Sequence, residues 1–223
     1  MNISFQKVES VTKKVRVVAL VKDAILSGEL KPGEPLVETK IAQQFGVGQG
    51  LIREALIELE HQGFVQRIPF SGTQITEFNL EEAGQIFDVR MELEPLAFTL
   101  AGQKASPADL AELSELIASI KQSAEESNQR RFFELNLEYR RKVWALSGNK
   151  YLVQSLERLV VPLFALYTMR EPFNPLSQQR MVKGASEQET IVKALQAGNV
   201  VEAGRLVRES LQEGKSQLHL LLK

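Results

Sequence analysis

Two residue pairs in the C-terminal half carry chemistry at helical spacing. Arg90 and Glu94 lie four apart, as do Asn136 and Arg140, so each pair projects from one side of a helix. Arg90 and Glu94 share a stripe with Ala83, Phe87, Ala97 and Ala101, while Phe133 and Trp144 continue the side of Asn136 and Arg140. Both faces are apolar with a polar centre. An arginine on such a face needs a charge partner or good hydrogen bonds. Two arrangements supply them. One is internal: Arg90 with Glu94, and Arg140 with a carboxylate of the bundle. The other is bidentate capture of an anionic ligand. Covalent and metal catalysis have less to work with. The chain has no cysteine, and its two histidines, His61 and His219, stand outside any Glu-x-x-His pair or nucleophile–base set.

The N-terminal half carries cations instead. Lys7, Lys13, Lys14, Arg16 and Lys22 face a single Glu9, an excess of four in a chain whose net charge is −1. Such a cluster meets phosphates or covers a solvated helix face. Arg53 stands on the outer side of a helix beside Glu54, placed for a base or phosphate contact or for a surface ion pair. Arg67 lies on a short strand, and Ser71 and Gly72 follow at a hairpin tip.

The elements that hold these residues follow from punctuation and period. Lys40 to Leu56 reads as two short helices joined at Gly46, which supplies the left-handed conformation that ends the first. Ile41, Ala42 and Phe45 face inward on one, and Ile52, Ala55 and Leu56 return at helical spacing on the other. Val47 points back into the junction. This is the pattern of a helix-turn-helix, whose second helix lies in the DNA major groove. A helix over Val11 to Ser27 precedes it, with Val15, Val18, Ala19, Ile25 and Leu26 as its apolar face. Glu38-Thr39 offers a cap for the first helix of the motif. Phe64 to Ile68 and Thr73 to Thr76 read as strands around the turn Pro69-Phe70-Ser71-Gly72. Three helices and a hairpin make a winged helix-turn-helix, with the hairpin tip against phosphate backbone or minor groove.

From Asn79 the pattern is helical almost throughout. Asn79 with Glu82 predicts a capping box, and Ser106-Pro107-Ala108-Asp109 an N-cap with proline in the first turn. Helices are expected near 79–102, 107–127, 129–147, 149–170, 176–197 and 199–222, with Pro162 kinking the fourth. Six helices on short turns imply an antiparallel bundle. The fold class is thus mainly α: a winged helix-turn-helix over 1–76, a linker at 77–79 and an all-α bundle over 80–223. Composition agrees, since 43% of the 223 residues are hydrophobic, yet no run reaches the length of a membrane span. With no signal-peptide segment at the N-terminus and no disulfide framework, a soluble cytoplasmic protein is expected.

Taken together, these residues resemble the GntR family of bacterial transcription regulators, in its FadR/FCD subfamily. The likeness is carried by the run Ala24 to Glu38 (with Gly28, Pro32 and Gly33), by Ile41-Ala42, Phe45-Gly46-Val47 and Ile52-Arg53-Glu54-Ala55-Leu56, and by Gly63-Phe64-Val65. In the C-terminal half it is carried by Val89-Arg90 with Leu93-Glu94, by Ser147-Gly148-Asn149, and by Ile191 to Leu195 with Ala197-Gly198-Asn199. The resemblance implies a homodimeric repressor or activator, with repression the leading expectation. It would read a palindromic operator in double-stranded DNA and bind a small effector, often a carboxylate, in the bundle.

The chain departs from the family in two places. After the glycine-valine pair the family commonly has Ser-Arg-Thr-Pro-Val-Arg, where this chain has Gly48-Gln49-Gly50-Leu51-Ile52-Arg53. Gln49 thus stands where an arginine contacts DNA, and glutamine pairs with adenine where arginine prefers guanine. The DNA contacts expected are Lys13, Lys14, Gln49, Gly50, Arg53, Arg67, Ser71 and Gly72. Many subfamily members also hold a divalent metal through one aspartate and three histidines. Register places those four positions on Asn136, Arg140, Gln188 and Ser210, none of them a good ligand for zinc or nickel. No metal or other cofactor is therefore expected. In its place Arg140 would anchor an anionic effector, with Arg90 beside it and Asn136, Gln188 and Ser210 as neutral partners. Tyr139, Tyr167 and Arg170 are further candidates for the same cavity.

Two other readings stay open. The bundle could serve dimerisation alone, without sensing, or it could carry an enzyme. The leading expectation is a DNA-binding regulator, not an enzyme, in which the effector shifts populations between arrangements of the winged domains.

Overall fold

The computed structural model describes residues 11–168 and 175–221, and side chains at 13–164 and 177–219. The chain divides into two compact units, Met1–Glu77 and Phe78–Lys223.

The first unit runs α1 (Val11–Leu26), β1 (Pro35–Leu36), α2 (Glu38–Phe45), α3 (Gln49–His61), β2 (Val65–Ile68) and β3 (Gly72–Ile75). Gly46, at φ 61°, ends α2, and its N–H returns to the carbonyls of Ala42 and Gln43. That left-handed turn lets α3 start only three residues later, with Gly48 as an N-cap that makes no side-chain bond. Ile41 and Ala42 on α2 and Ile52, Ala55, Leu56 and Leu59 on α3 are buried together. Burying each large apolar side chain contributes about 1.5–3 kcal/mol.

Three expectations need correction here. On α1 the buried residues are Val17, Val18, Val21 and Ile25, whereas Val15 is 59% exposed and Ala19 lies on the solvent side. The helix is apolar on more than one face, so spacing alone did not select the buried one. Glu38 and Thr39 do not cap α2: they lie inside its first turn, and the N-cap is Val37, without a capping side chain. The hairpin also has a third strand. Pro35–Leu36 pairs antiparallel with β3, Pro35 opposite Gln74 and Leu36 opposite Thr73, giving the sheet order β1-β3-β2.

The second unit comprises α4 (Leu80–Lys104), α5 (Pro107–Glu125), α6 (Gln129–Leu146), α7 (Lys150–Thr168), α8 (Pro175–Gln196), α9 (Val200–Ser216) and α10 (Leu218–Leu221). Asn79 and Ser106 each form a full capping box, with Glu82 and Asp109 respectively. These reciprocal bonds satisfy backbone donors that a helix start otherwise leaves bare. Helix α4 packs on α9, α6 and α7, and α5 packs on α8 and α6. Gly102 permits the close approach of α4 to the α8–α9 corner, where an added Cβ would lie 2.7 Å from both Leu195 and Val200. Lys104 donates to the Ser147 carbonyl at 2.6 Å, fixing the end of α4 to the end of α6. The final helix breaks at Gln217, so one helix over 199–222 becomes α9 and α10. Pro162 sits within α7, which runs on as one helix from Lys150 to Thr168, and Pro95 sits likewise within α4.

Candidate functional site

Six of the residues expected to contact DNA lie on α3 and the β2–β3 hairpin. Gln49, Gly50 and Arg53 are all exposed along α3. Arg53 donates through Nε and Nη2 to Glu38 Oε2 on α2, at 3.2 and 3.0 Å. This bond and the charge of Glu38 hold the guanidinium above its ordinary pKa. Arg67, opposite Thr73 on the hairpin, pairs with Glu60 at 3.2 Å. Ser71 and Gly72 stand exposed at the tip beside Phe70, which is fully exposed at φ 65°. Lys13 is exposed, and Lys14 lies 3.6 Å from Glu58. Lys7 and Glu9 lie outside the described residues. Glu38 is the partner that sequence reading missed. It is fifteen residues from Arg53, and no local spacing links the two.

In the helical unit Arg90, Asn136, Arg140, Gln188 and Ser210 line a single cavity of about 210 Å³. Each helix contributes a stripe: Phe87 and Arg90 from α4, Phe133, Asn136 and Arg140 from α6, Arg180, Gly184 and Gln188 from α8, Ser210 and Gly214 from α9. Phe164 of α7 adds a further wall.

Beneath the cavity lies Glu94, 0% exposed. Arg90 Nε donates to its Oε1 at 2.6 Å, and Arg140 Nη1 donates to its Oε2. Burial alone would push the Glu94 carboxyl up, but the charges of Arg140 and Arg90 reverse that, so it is held below the usual carboxylate range. Burial draws the Arg140 guanidinium down, while Glu94 opposes the shift. The guanidinium groups also stand over aromatic rings, Arg90 4.4 Å from the Phe87 centroid and Arg140 5.8 Å from that of Phe164.

Of the neutral members, Asn136 and Gln188 are bonded to each other and Ser210 bonds elsewhere. Asn136 donates to the Phe132 carbonyl at 2.8 Å and accepts from Gln188 Nε2. Ser210 donates to Glu187 at 2.8 Å. Two buried atoms of this set, Arg140 Nε and Gln188 Oε1, have no hydrogen-bond partner. An orphaned buried polar atom is costly and calls for a partner.

Other candidates fall elsewhere. Tyr139 is corrected from cavity to core: it is 1% exposed, its ring meets Phe98 edge-on at 6.0 Å, and burial raises its hydroxyl pKa. Trp144 is likewise core. The side chains of Tyr167 and Arg170 lie outside the described residues. Sequence reading paired Glu94 with Arg90 but missed its reach to Arg140, 46 residues on. It also missed Arg180, although the four-residue steps from Arg180 through Gly184 to Gln188 are a legible stripe.

The resembled metal centre does not fit these residues. Its four positions hold an amide, a guanidinium, a second amide and a hydroxyl, and the guanidinium is itself a cation committed to Glu94. Among the described residues, no cluster of three or more His, Cys, Asp or Glu side chains could hold a metal ion. Among those residues, too, no helix is long and apolar enough to cross a membrane.

Comparison with known proteins assigns both units. Residues 13–75 match the model for bacterial regulatory proteins of the gntR family, and residues 85–213 match the FCD domain. The chain is similar to the HTH-type transcriptional regulator McbR of Escherichia coli K12, 29% identical over 170 residues, covering 76% of this chain and 77% of McbR. The solved McbR structure has the same fold, with a TM-score of 0.80 at 24% identity over 95% of this chain and 99% of that one. The regulator LutR of Bacillus subtilis 168 is 31% identical over 205 residues, 80% of this chain and 89% of LutR. The gluconate operon transcriptional repressor of Bacillus licheniformis is 27% identical over 158 residues, 70% of this chain and 65% of that repressor.

Proposed function

The chain belongs to the GntR family of bacterial regulatory proteins, with an FCD domain behind its winged helix, and we propose that it is a repressor relieved by a small carboxylate. It is a DNA-binding transcriptional regulator, as are the relatives named above, and not an enzyme. The proposal adds the operator, the dimer and the ligand. Two copies bind a palindrome, because one recognition helix spans only a half-site. Gln49, Gly50 and Arg53 meet base edges and nearby phosphates, the wing residues Arg67, Ser71 and Gly72 meet the backbone, and Lys13 and Lys14 add phosphate contacts. The likeness to a repressor of a gluconate operon supports repression.

One observation carries the effector half. Five polar residues from four helices converge on one cavity, and two of their buried atoms, Arg140 Nε and Gln188 Oε1, lack partners. The acid binds Arg140 directly, with no metal between them. Coupling is reciprocal, so operator DNA weakens acid binding by the factor by which the acid weakens operator binding.

A second observation favours a bundle that only dimerises: Glu94 already pairs both arginines. Selection of bound duplexes from a random pool, followed by gel shifts with a panel of aliphatic, hydroxy and aromatic acids, separates the readings. The repressor reading expects an inverted repeat, its release by one acid, and loss of release with retained binding in Arg140→Ala. An asymmetric site, or binding indifferent to every acid, overturns it.

A further inference from the structure

The cavity's charge and hydrogen-bond balance narrows the acid it takes. At the polar end, two guanidinium groups face one carboxylate, so one positive charge is uncompensated in a buried place. Arg180 and Lys183 also line the cavity with Glu187 and Glu213, and Lys183 pairs with both carboxylates, so these four charges balance. A ligand with a single negative charge completes the site. Among the described lining residues, a second charge would have no cation in excess to meet it, at a heavy cost in desolvation.

Hydrogen bonding adds a second constraint. Glu94 occupies the Nη1 side of Arg140, leaving the orphaned Nε on the edge that meets a carboxylate side-on. Gln188 is 7% exposed, and its Nε2 is spent on Asn136. Its Oε1 has no partner and can only accept. A ligand that donates an N–H or O–H to it would satisfy it. Asn136 bridges Gln188 to the helix of Arg140 and precedes Arg140 by one turn, so the acceptor on Gln188 stands apart from the Arg140 anchor. Between them the walls are Phe87, Phe132, Phe133, Phe164, Met181 and Leu211. At about 210 Å³ the space is smaller than the ~300–1,000 Å³ of pockets that take drug-sized molecules.

We propose that this cavity selects a small monoanionic acid with an apolar, preferably aromatic body and one hydrogen-bond donor set apart from the carboxylate. The assignment rests on the reading of the bundle as an acid sensor. It separates this chain's ligand from compact polyanions and from acids that need a chelated metal.

Titration calorimetry of the full chain with four matched probes tests it. They are para-hydroxyphenylacetate, phenylacetate (no donor), para-hydroxyphenylacetamide (no charge) and para-phenylenediacetate (two charges). The first binds at least tenfold more tightly than each of the others. In Gln188→Leu the advantage of the phenol over phenylacetate disappears, while the preference for acid over amide stays. If the dianion binds as tightly as para-hydroxyphenylacetate, the charge balance is wrong and acid sensing survives. If the amide binds as tightly, the Arg140 anchor falls as well. If none of the four binds at millimolar concentration, the ligand class is overturned, and release of operator by another acid of the wider panel still upholds the sensor reading.

Discussion

Glu94 on α4 accepts a hydrogen bond from Arg140 on α6 while accepting another from Arg90 on its own helix. One fully buried carboxylate therefore organises two cations. Removing it strands both of them, and an uncompensated buried charge costs ~3–5 kcal/mol. Glu94→Gln is expected to lose about that much in urea unfolding, with little change in m-value. A loss below about 1 kcal/mol would mean that the pair is not buried as described.

The same carboxylate sets an acid limit. Its pKa in the folded chain lies below the ordinary 4.5. A depressed folded pKa gives stability that is full above the unfolded value and is lost as pH falls through the folded one. Unfolding midpoints taken downward from pH 6 should therefore fall more steeply for the wild type than for Glu94→Gln, with the gap between them closing from near pH 4.5 downward. Parallel curves would remove Glu94 from the acid response, leaving it to half-buried surface carboxylates such as Glu189, which Lys121 and Lys193 hold at about 2.

Glu38 holds the Arg53 guanidinium, and under the proposed function it would compete for it with a DNA phosphate. An exposed pair of this kind is worth ~0.2–1 kcal/mol. Glu38→Gln should strengthen operator binding by up to about fivefold, and Arg53→Ala should weaken it by ~1–3 kcal/mol. Gel shifts at fixed salt measure both. Weaker binding by Glu38→Gln would show that the carboxylate positions Arg53 rather than competing for it.

Gln49 occupies an exposed site at the start of α3. Gln49→Arg should shift preference at one base pair of each half-site from adenine towards guanine. It should also steepen the salt dependence of binding by about one counterion for each arginine that meets a phosphate. An unchanged preference and an unchanged salt slope would take residue 49 out of the readout.

What sequence reading recovered was written locally. Asn79 with Glu82, Ser106 with Asp109, and Gly46 each act within a few residues, and each is found as expected. Strand β1 escaped because two residues show no period; it exists through pairing with β3, nearly forty positions later. The Arg53–Glu38 and Arg140–Glu94 bonds escaped for the same reason, since spacing on one helix says nothing about the helix packed against it. Arg140 was singled out correctly as a charge that needs a partner, but its partner came from a different helix.

Helix α4 begins at a doubly tied end and carries Glu94 fourteen residues further on. At 1.5 Å per residue, Asn79 and Glu94 are about 22 Å apart along a continuous rod. A fraying first turn would absorb a small rotation of that rod as slack. The Asn79–Glu82 lock removes that slack, so the register of α4 from Asn79 to Glu94 is set at its first turn. The capping box therefore fixes where the rod begins as well as satisfying its backbone donors.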